Sequence, residues 1–373
     1  MSKKFGFAMV CFYEASVGGH GSSEVSSSLY DCLPKKNKQL FEIKKKRLFY
    51  FFEYYKFNYF ENIYKIFYLL VLVYKSKNFL KKFKKKFIII EGASWIGYSY
   101  IFLKIIKFCN PKILIIYHAH NIEYELRLRK NNLITAFITK ILEKKVYKLS
   151  NFSTALSISD QKKLKKLYKV NTFIFPNGIN KKRLQVKKPK FNLPKKYIIF
   201  SGSYSQLFNQ DAIHNIIFKI MPKILKKYKD IKLIITGKDL PKDKFKNCNF
   251  LRNYIDLDKK ELNYLIKKSL FMLTPMSKSP GVKLKVIETL LLDANLVTSK
   301  AGVAGIKLIK TKNLYVYSTT HQMHRYINYL LKNNKKIKKN KIKKIYFKYY
   351  LMENILKDFF SKIQLYKNAT VYK

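Results

Sequence analysis

Arginine is scarce in a chain otherwise crowded with positive charge. Among 77 basic residues in 373, only Arg47, Arg127, Arg129, Arg183, Arg252 and Arg325 carry the guanidinium fork on which base and phosphate readers rely. Acidic residues are few as well, 22 Asp plus Glu, and the formal net charge is +55. The lysine runs at 35–47, 81–86, 162–169, 181–190 and 335–344 are scattered rather than gathered into one basic segment. A nucleic-acid partner is therefore set aside, and a bias toward Lys, Ile, Asn, Phe and Tyr, as A/T-rich codons favour, accounts for the charge. Attraction to an anionic membrane surface survives better, since each lysine near such a surface contributes about 1 kcal/mol.

Cysteine is also sparse. Cys11, Cys32, Cys109 and Cys248 lie far apart, without the paired spacing of a zinc site or redox dithiol, so a reducing cytoplasm is expected. The longest apolar run, Ile66–Tyr74, falls far short of the ~20 residues that a spanning helix needs. The apolar stretch before Glu14 is too short for a secretory signal. The expectation is a cytoplasmic protein, attached to the inner face of the cell membrane at most peripherally.

What is present is enough apolar material, 48% of residues, to build substantial cores, and enough length for two domains. Strand-like runs at 5–13, 39–44, 87–93, 112–120, 152–159 and 172–178 alternate with helix-like segments at 48–83, 131–149 and 160–168. A basic stretch with Pro189 and Pro194 follows, and the alternation restarts with strands at 197–203, 231–237, 271–275 and 295–299 and helices at 210–228, 258–268 and 283–293. Strand and helix repeating at this interval predict two α/β, doubly wound parallel sheets. The predicted division is 1–183, 184–345 and a helical tail, 346–373, that could return to the first domain. Facing Rossmann-like domains would border an interdomain cleft.

Four collinear segments narrow the reading: HNIEYELR (120–127), FPNGIN (175–180), FSGSYSQLFNQDA (200–212) and PMSKSPGVKLKVIETLLLDANLVTSKAGVAGI (275–306). Together they resemble the motifs of family-4 retaining glycosyltransferases of GT-B fold, over roughly residues 110–310. The resemblance implies transfer of a sugar from a nucleotide-sugar donor to a saccharide, lipid-linked or other cell-envelope acceptor. Physically, such transfer needs the charge that builds on the leaving diphosphate to be stabilised. Gly281 permits close backbone approach, and the helix after it presents its amino end, a ready anion site. Lys283 and Lys285 stand at that end, unfavourable for the helix itself, and call for an anion. Glu288, one turn after Lys285, shares its face and is matched by the resemblance to the residue that accepts the donor ribose hydroxyls.

Gly202, Ser203, Val282 and Leu284 complete the expected donor site, and the glycine-rich Gly18, Gly19, His20 and Gly21 the expected acceptor-side loop. His120, expected to end a strand, matches a histidine near the reacting centre in the resembling enzymes, and His118 cannot be separated from it by periodicity. Glu123 and Glu125 are read as residues of a helix start, not as an acid and base pair. In this reading no Asp-x-Asp pair stands at a strand end, so neither metal nor other cofactor is expected. The sequence departs from the family pattern at Pro280, Ser203 and Phe208, which leaves the sugar open and admits an inactive scaffold. A nucleotide-sugar epimerase, or a basic binding protein on an inactive scaffold, is the alternative.

Overall fold

A computed structural model describes residues 5–15, 21–43, 58–93, 96–129, 133–241, 243–277, 281–309, 311–333 and 341–371. The chain forms two compact units, Met1–Asn180 joined by Met352–Lys373, and Lys181–Leu351.

The first unit is built on β1 (Phe5–Cys11), β2 (Lys38–Glu42), β3 (Lys85–Glu91), β4 (Leu114–His118), β5 (Phe152–Ala155) and β6 (Phe173–Ile174), all parallel in the order β2-β1-β3-β4-β5-β6. The central strands, FGFAMVC, KKFIIIE and LIIYH, are apolar on successive residues and buried on both faces, as helix-covered parallel strands are. Their covers are α1 (Gly21–Cys32), α2 (Asn58–Leu80), α3 (Ile96–Cys109), α4 (Glu123–Arg129), α5 (Leu133–Leu149) and α6 (Ile158–Tyr168). Expected strand 152–159 stops at Ala155 because Ser157 accepts the Asp160 N–H and caps α6. Expected helix 131–149 is preceded by the separate short α4. Glu143 of α5 accepts the backbone N–H groups of Glu123 (2.8 Å) and Tyr124 (3.1 Å), which fixes that helix start.

In the second unit the parallel order is β12-β11-β10-β7-β8-β9, with β7 (Tyr197–Ser201), β8 (Lys232–Thr236), β9 (Leu251–Tyr254), β10 (Met272–Thr274), β11 (Leu296–Ser299) and β12 (Leu314–Tyr317). The anticipated helix 210–228 is instead α7 (Leu207–His214) and α8 (Met221–Leu225), joined through a π-helical turn at Asn215–Ile220. Pro222, which has no N–H to give, lies at the beginning of α8, and the wider turn ahead of it absorbs the break. α9 (Lys259–Lys268), α10 (Leu284–Leu291), α11 (Thr320–Asn333) and α12 (Lys341–Tyr350) follow in this unit, and α13 (Met352–Val371) lies in the first. Strand β12 was not expected; its residues are all half-buried at the sheet edge, and a short LYVY gives little alternation to read.

Each sheet has one place where successive strands are laid down on opposite sides, between β1 and β3 in the first and between β7 and β10 in the second. Loops leaving such neighbours diverge and open a crevice at the carboxyl ends, where ligands of open α/β sheets bind.

Candidate functional site

At the second unit's switch point, Gly202 follows β7 and the segment 275–283 leads from β10 into α10. A Cβ on Gly202 would lie 2.8 Å from Lys285 Nζ and 2.7 Å from Asn209 Nδ2, so only glycine admits both side chains. Gly281, at φ 69°, makes the left-handed turn before the helix. Lys283 is the N-cap residue, buried, with its ammonium donating to the Gly281 carbonyl; Val282 is half-buried beside it and Leu284 opens the helix.

Lys285 donates to Asn209 Oδ1 at 2.9 Å, and its ammonium lies 4.3 Å from the Phe200 ring centre. Among the described residues, no carboxylate is within ion-pairing distance of it. Burial pushes its pKa down to about 7, the Lys283 charge adds to this, and Glu288 opposes it. Two ammonium groups and the unbonded N–H groups of a helix start thus converge, a combination that favours a bound anion.

Glu288 is buried, as the apolar VIETLLL around it suggests, but its ion-pair partner is Lys259 of α9. Lys285, placed on the same helical face by the sequence, turns to Asn209. Neither Lys259 nor Asn209 was singled out from the sequence. Lys259 is one lysine among many, while Asn209 sits inside the FSGSYSQLFNQDA segment without a charge to draw notice. Ser203 Oγ donates to Asp239 Oδ2 at 2.8 Å, and the Ser203 carbonyl accepts from Asn209.

The sequence reading also passes over Asp256-Leu257-Asp258, an Asp-x-Asp pair just beyond β9. Asp258 caps α9 by accepting the Glu261 N–H, Asp256 stands 3.7 Å from Lys238, and β9 is the edge strand away from the switch point. Asp258 is thus engaged in a helix cap and Asp256 in an exposed ion pair.

In the first unit, β4 ends at His118, so His120 lies two residues beyond the strand rather than at its end. Both imidazoles bind one carboxylate, Glu91, the last residue of β3: His118 Nδ1 donates to Oε1 (2.9 Å) and His120 Nε2 to Oε2 (2.7 Å). Ser26 Oγ of α1 also donates to Oε2, and the Tyr13 hydroxyl lies 2.6 Å from Ser26 Oγ. Burial alone would raise the Glu91 pKa, but the two histidines outweigh it and hold the carboxyl well below its usual range. His120 is lowered by burial despite Glu91. Glu91, His118 and His120 are the one group among the described residues with metal-ligand atoms gathered within 4.8 Å. Those atoms are already hydrogen-bonded to each other, which accounts for the cluster without an ion. Glu91 had no motif to mark it in the sequence.

Gly21 opens α1, while Gly18, Gly19 and His20 lie outside the described residues, as does Pro280. Glu123 and Glu125 fall in the first turn of α4 and pair with Arg127 (3.5 Å) and Lys163 (2.8 Å). Phe208 packs against the second core.

No family profile matches the sequence, and no curated protein is similar to it in sequence. Solved structures are similar in fold. Sucrose-phosphate synthase from Thermosynechococcus elongatus superposes with a TM-score of 0.66 at 12% identity, over 99% of this chain and 100% of that one. The fold is GT-B. HepE from Anabaena, solved with UDP-glucose, has a TM-score of 0.64 at 12% identity over 96% of this chain and 99% of its own. The trehalose 6-phosphate synthase of Burkholderia multivorans scores 0.65 at 10% identity over 99% and 98%. At these identities the likeness is one of fold, and the chemistry has to be argued from the side chains.

Proposed function

We propose that this chain is a glycosyltransferase that moves a sugar from a nucleotide-sugar to a saccharide, lipid-linked or other cell-envelope acceptor, with retention of configuration. The observation that carries the reading is the meeting of Lys283, Lys285 and the amino end of α10 at the switch point of the second sheet. Among the described residues Lys285 there bonds only a neutral amide and an aromatic face, and is poised for a diphosphate. Gly202 and Gly281 let the backbone come close to it, and Glu288 serves the ribose hydroxyls. The four collinear motifs support family 4 and retention. That HepE was solved with UDP-glucose makes UDP-sugars the first donors to try.

The leaving diphosphate is neutralised by ammonium groups and backbone N–H groups, so the donor site works without a metal ion. The test is nucleoside diphosphate release from a panel of nucleotide-sugars with oligosaccharide and lipid-linked acceptors, with proton NMR of the product. Turnover should be unchanged by excess EDTA, and the new anomeric centre should match the donor's. Activity lost to chelator and restored by Mn²⁺ would overturn the metal-free reading, and an inverted product the retaining one.

The same account extends to peripheral attachment at an anionic membrane. No helix among the described residues is long and apolar enough to cross one. Segment 44–86 interleaves lysine with Tyr, Phe and Leu and is described from residue 58, where α2 exposes Ile63, Phe67, Leu70 and Tyr74 at helical spacing. Helix α5 adds Ile134, Phe137, Ile138 and Ile141, with Lys144 and Lys148 exposed alongside. An apolar stripe edged by lysine suits the surface of an anionic bilayer. The full chain should sediment with vesicles containing phosphatidylserine at low salt and detach at high salt, and Ile134→Ser with Phe137→Ser should weaken binding at least about ten-fold, as two buried side chains would. Equal binding to neutral vesicles would refute the electrostatic part.

A further inference from the structure

We infer that Glu91 is a positioning residue: it fixes His120 in the tautomer that turns an unprotonated Nδ1 toward a hydroxyl of the saccharide substrate. The inference rests on the glycosyltransferase reading for its substrate, but its geometry stands apart from it.

An ionised carboxylate accepts hydrogen bonds and donates none. Glu91, wholly buried, therefore receives a proton-bearing atom from each of its three partners, His118 Nδ1, His120 Nε2 and Ser26 Oγ. Since the single hydroxyl proton of Ser26 is spent on Glu91, the bond between Tyr13 and Ser26 runs from the tyrosine hydroxyl to Ser26 Oγ. All the bonds point toward one carboxylate. Each imidazole is thereby assigned: His118 holds its proton on Nδ1 and His120 on Nε2.

The consequence differs for the two rings. The remaining nitrogen of His118, Nε2, is buried without a hydrogen-bond partner, and the ring packs edge-on to Phe175, with centroids 4.7 Å apart. That ring is held inside the unit. His120 Nδ1 makes no hydrogen bond to any described residue, and His120 is 4% exposed against 1% for His118, so of the two unpartnered ring nitrogens it is the one we assign to the substrate. Burial lowers the pKa of the ring despite Glu91, which favours the neutral form and with it that lone pair. A neutral nitrogen acceptor at the carboxyl ends of β3 and β4, beside the first unit's switch point, matches a hydroxyl donor better than an anion. In a chain so rich in ammonium groups, this is where an uncharged, hydroxyl-bearing part of a substrate is recognised.

The experiment is a long-range ¹H–¹⁵N correlation spectrum of the full chain labelled at histidine, with His120 assigned from His120→Asn. His120 should show the Nε2–H tautomer alone, with Nδ1 at the unprotonated position. Glu91→Leu has similar bulk and offers neither ring an acceptor, so nothing then holds His120 in one tautomer. Tautomer exchange should appear at His120, and turnover should fall about a hundred-fold, the lower range for a well-placed acid–base or hydrogen-bonding group. The KM for the nucleotide-sugar should stay within about two-fold, since the donor's charged groups are met in the second unit. Ser26→Ala keeps both histidine bonds and should retain the tautomer. If Glu91→Leu does not fold, Glu91→Gln is read in its place, where one acceptor is lost and exchange at either ring is the expected result. An unchanged His120 tautomer, unchanged turnover beside a lowered melting temperature, or a stoichiometric metal ion on these three residues would overturn the inference. The tautomer is read without turnover, so its failure is distinct from failure of the glycosyltransferase reading.

Discussion

Replacing Lys285 with methionine is expected to lower nucleotide-sugar affinity by about ten- to a hundred-fold, because one hydrogen bond to a charged group contributes about 1.5–3 kcal/mol. Methionine keeps the length of the side chain and its contact with Phe200 while removing the charge. The substitution also tests the burial of the ammonium. In the ligand-free protein the Lys285 pKa is lowered to about 7, against about 10.4 for an ordinary lysine. Between those values the unfolded chain binds more protons than the folded one, so stability rises with pH through that window. That share of the rise should disappear in Lys285→Met. Binding of an anion restores the charge and takes up a proton above pH 7, so the wild-type affinity should weaken as pH rises from 7 to 9 while that of Lys285→Met stays flat. Calorimetry in two buffers of different ionisation heat measures the uptake directly. A pH-independent affinity in the wild type would mean that the diphosphate does not meet Lys285.

Glu288→Gln should cost at least about ten-fold in nucleotide-sugar affinity, the difference between hydrogen bonds from ribose hydroxyls to a charged and to a neutral acceptor. Its pairing with Lys259 adds a control. The two side chains are only 17% and 7% exposed, so the substitution leaves a largely buried ammonium without its partner and costs more than breaking a surface pair, approaching the roughly 3 kcal/mol at the lower end for a buried pair. Several degrees of melting temperature are at stake. Lys259→Met should lower the melting temperature of the ligand-free protein similarly while affecting donor affinity much less. If both variants lose stability alike and neither loses affinity, Glu288 is scaffold and the ribose assignment falls.

How far the sequence foretold this arrangement depends on where the information is local. The two parallel sheets were legible because FGFAMVC, KKFIIIE, YIIFS and KLIIT are continuous apolar runs set at regular intervals between helical segments. The cationic helix start after Gly281 was legible because Lys283 and Lys285 stand where a helix alone would disfavour them. What escaped was set by distance in the chain. Glu91 is separated from Ser26 by 65 residues, and Glu288 from Lys259 by 29, so no periodicity within one element announces either pair. Asn209 reaches Lys285 across 76 residues. The π turn before Pro222 and the stop of β5 at Ala155, ahead of the Ser157 cap, are local after all, and the hydrogen-bonding needs of proline and serine explain both.

The second unit's switch point should hold the diphosphate of a nucleotide-sugar, and thermal unfolding of the full chain with nucleoside diphosphates and their sugars measures whether it does. At about a hundred times its dissociation constant, a ligand bound only by the folded state adds about 2.7 kcal/mol of stability. At least one nucleoside diphosphate, with its sugar conjugate, should raise the melting temperature of the wild type by several degrees, and the same concentration should leave Lys285→Met nearly unshifted. A panel without effect on the wild type, or an equal rise in Lys285→Met, would contradict it.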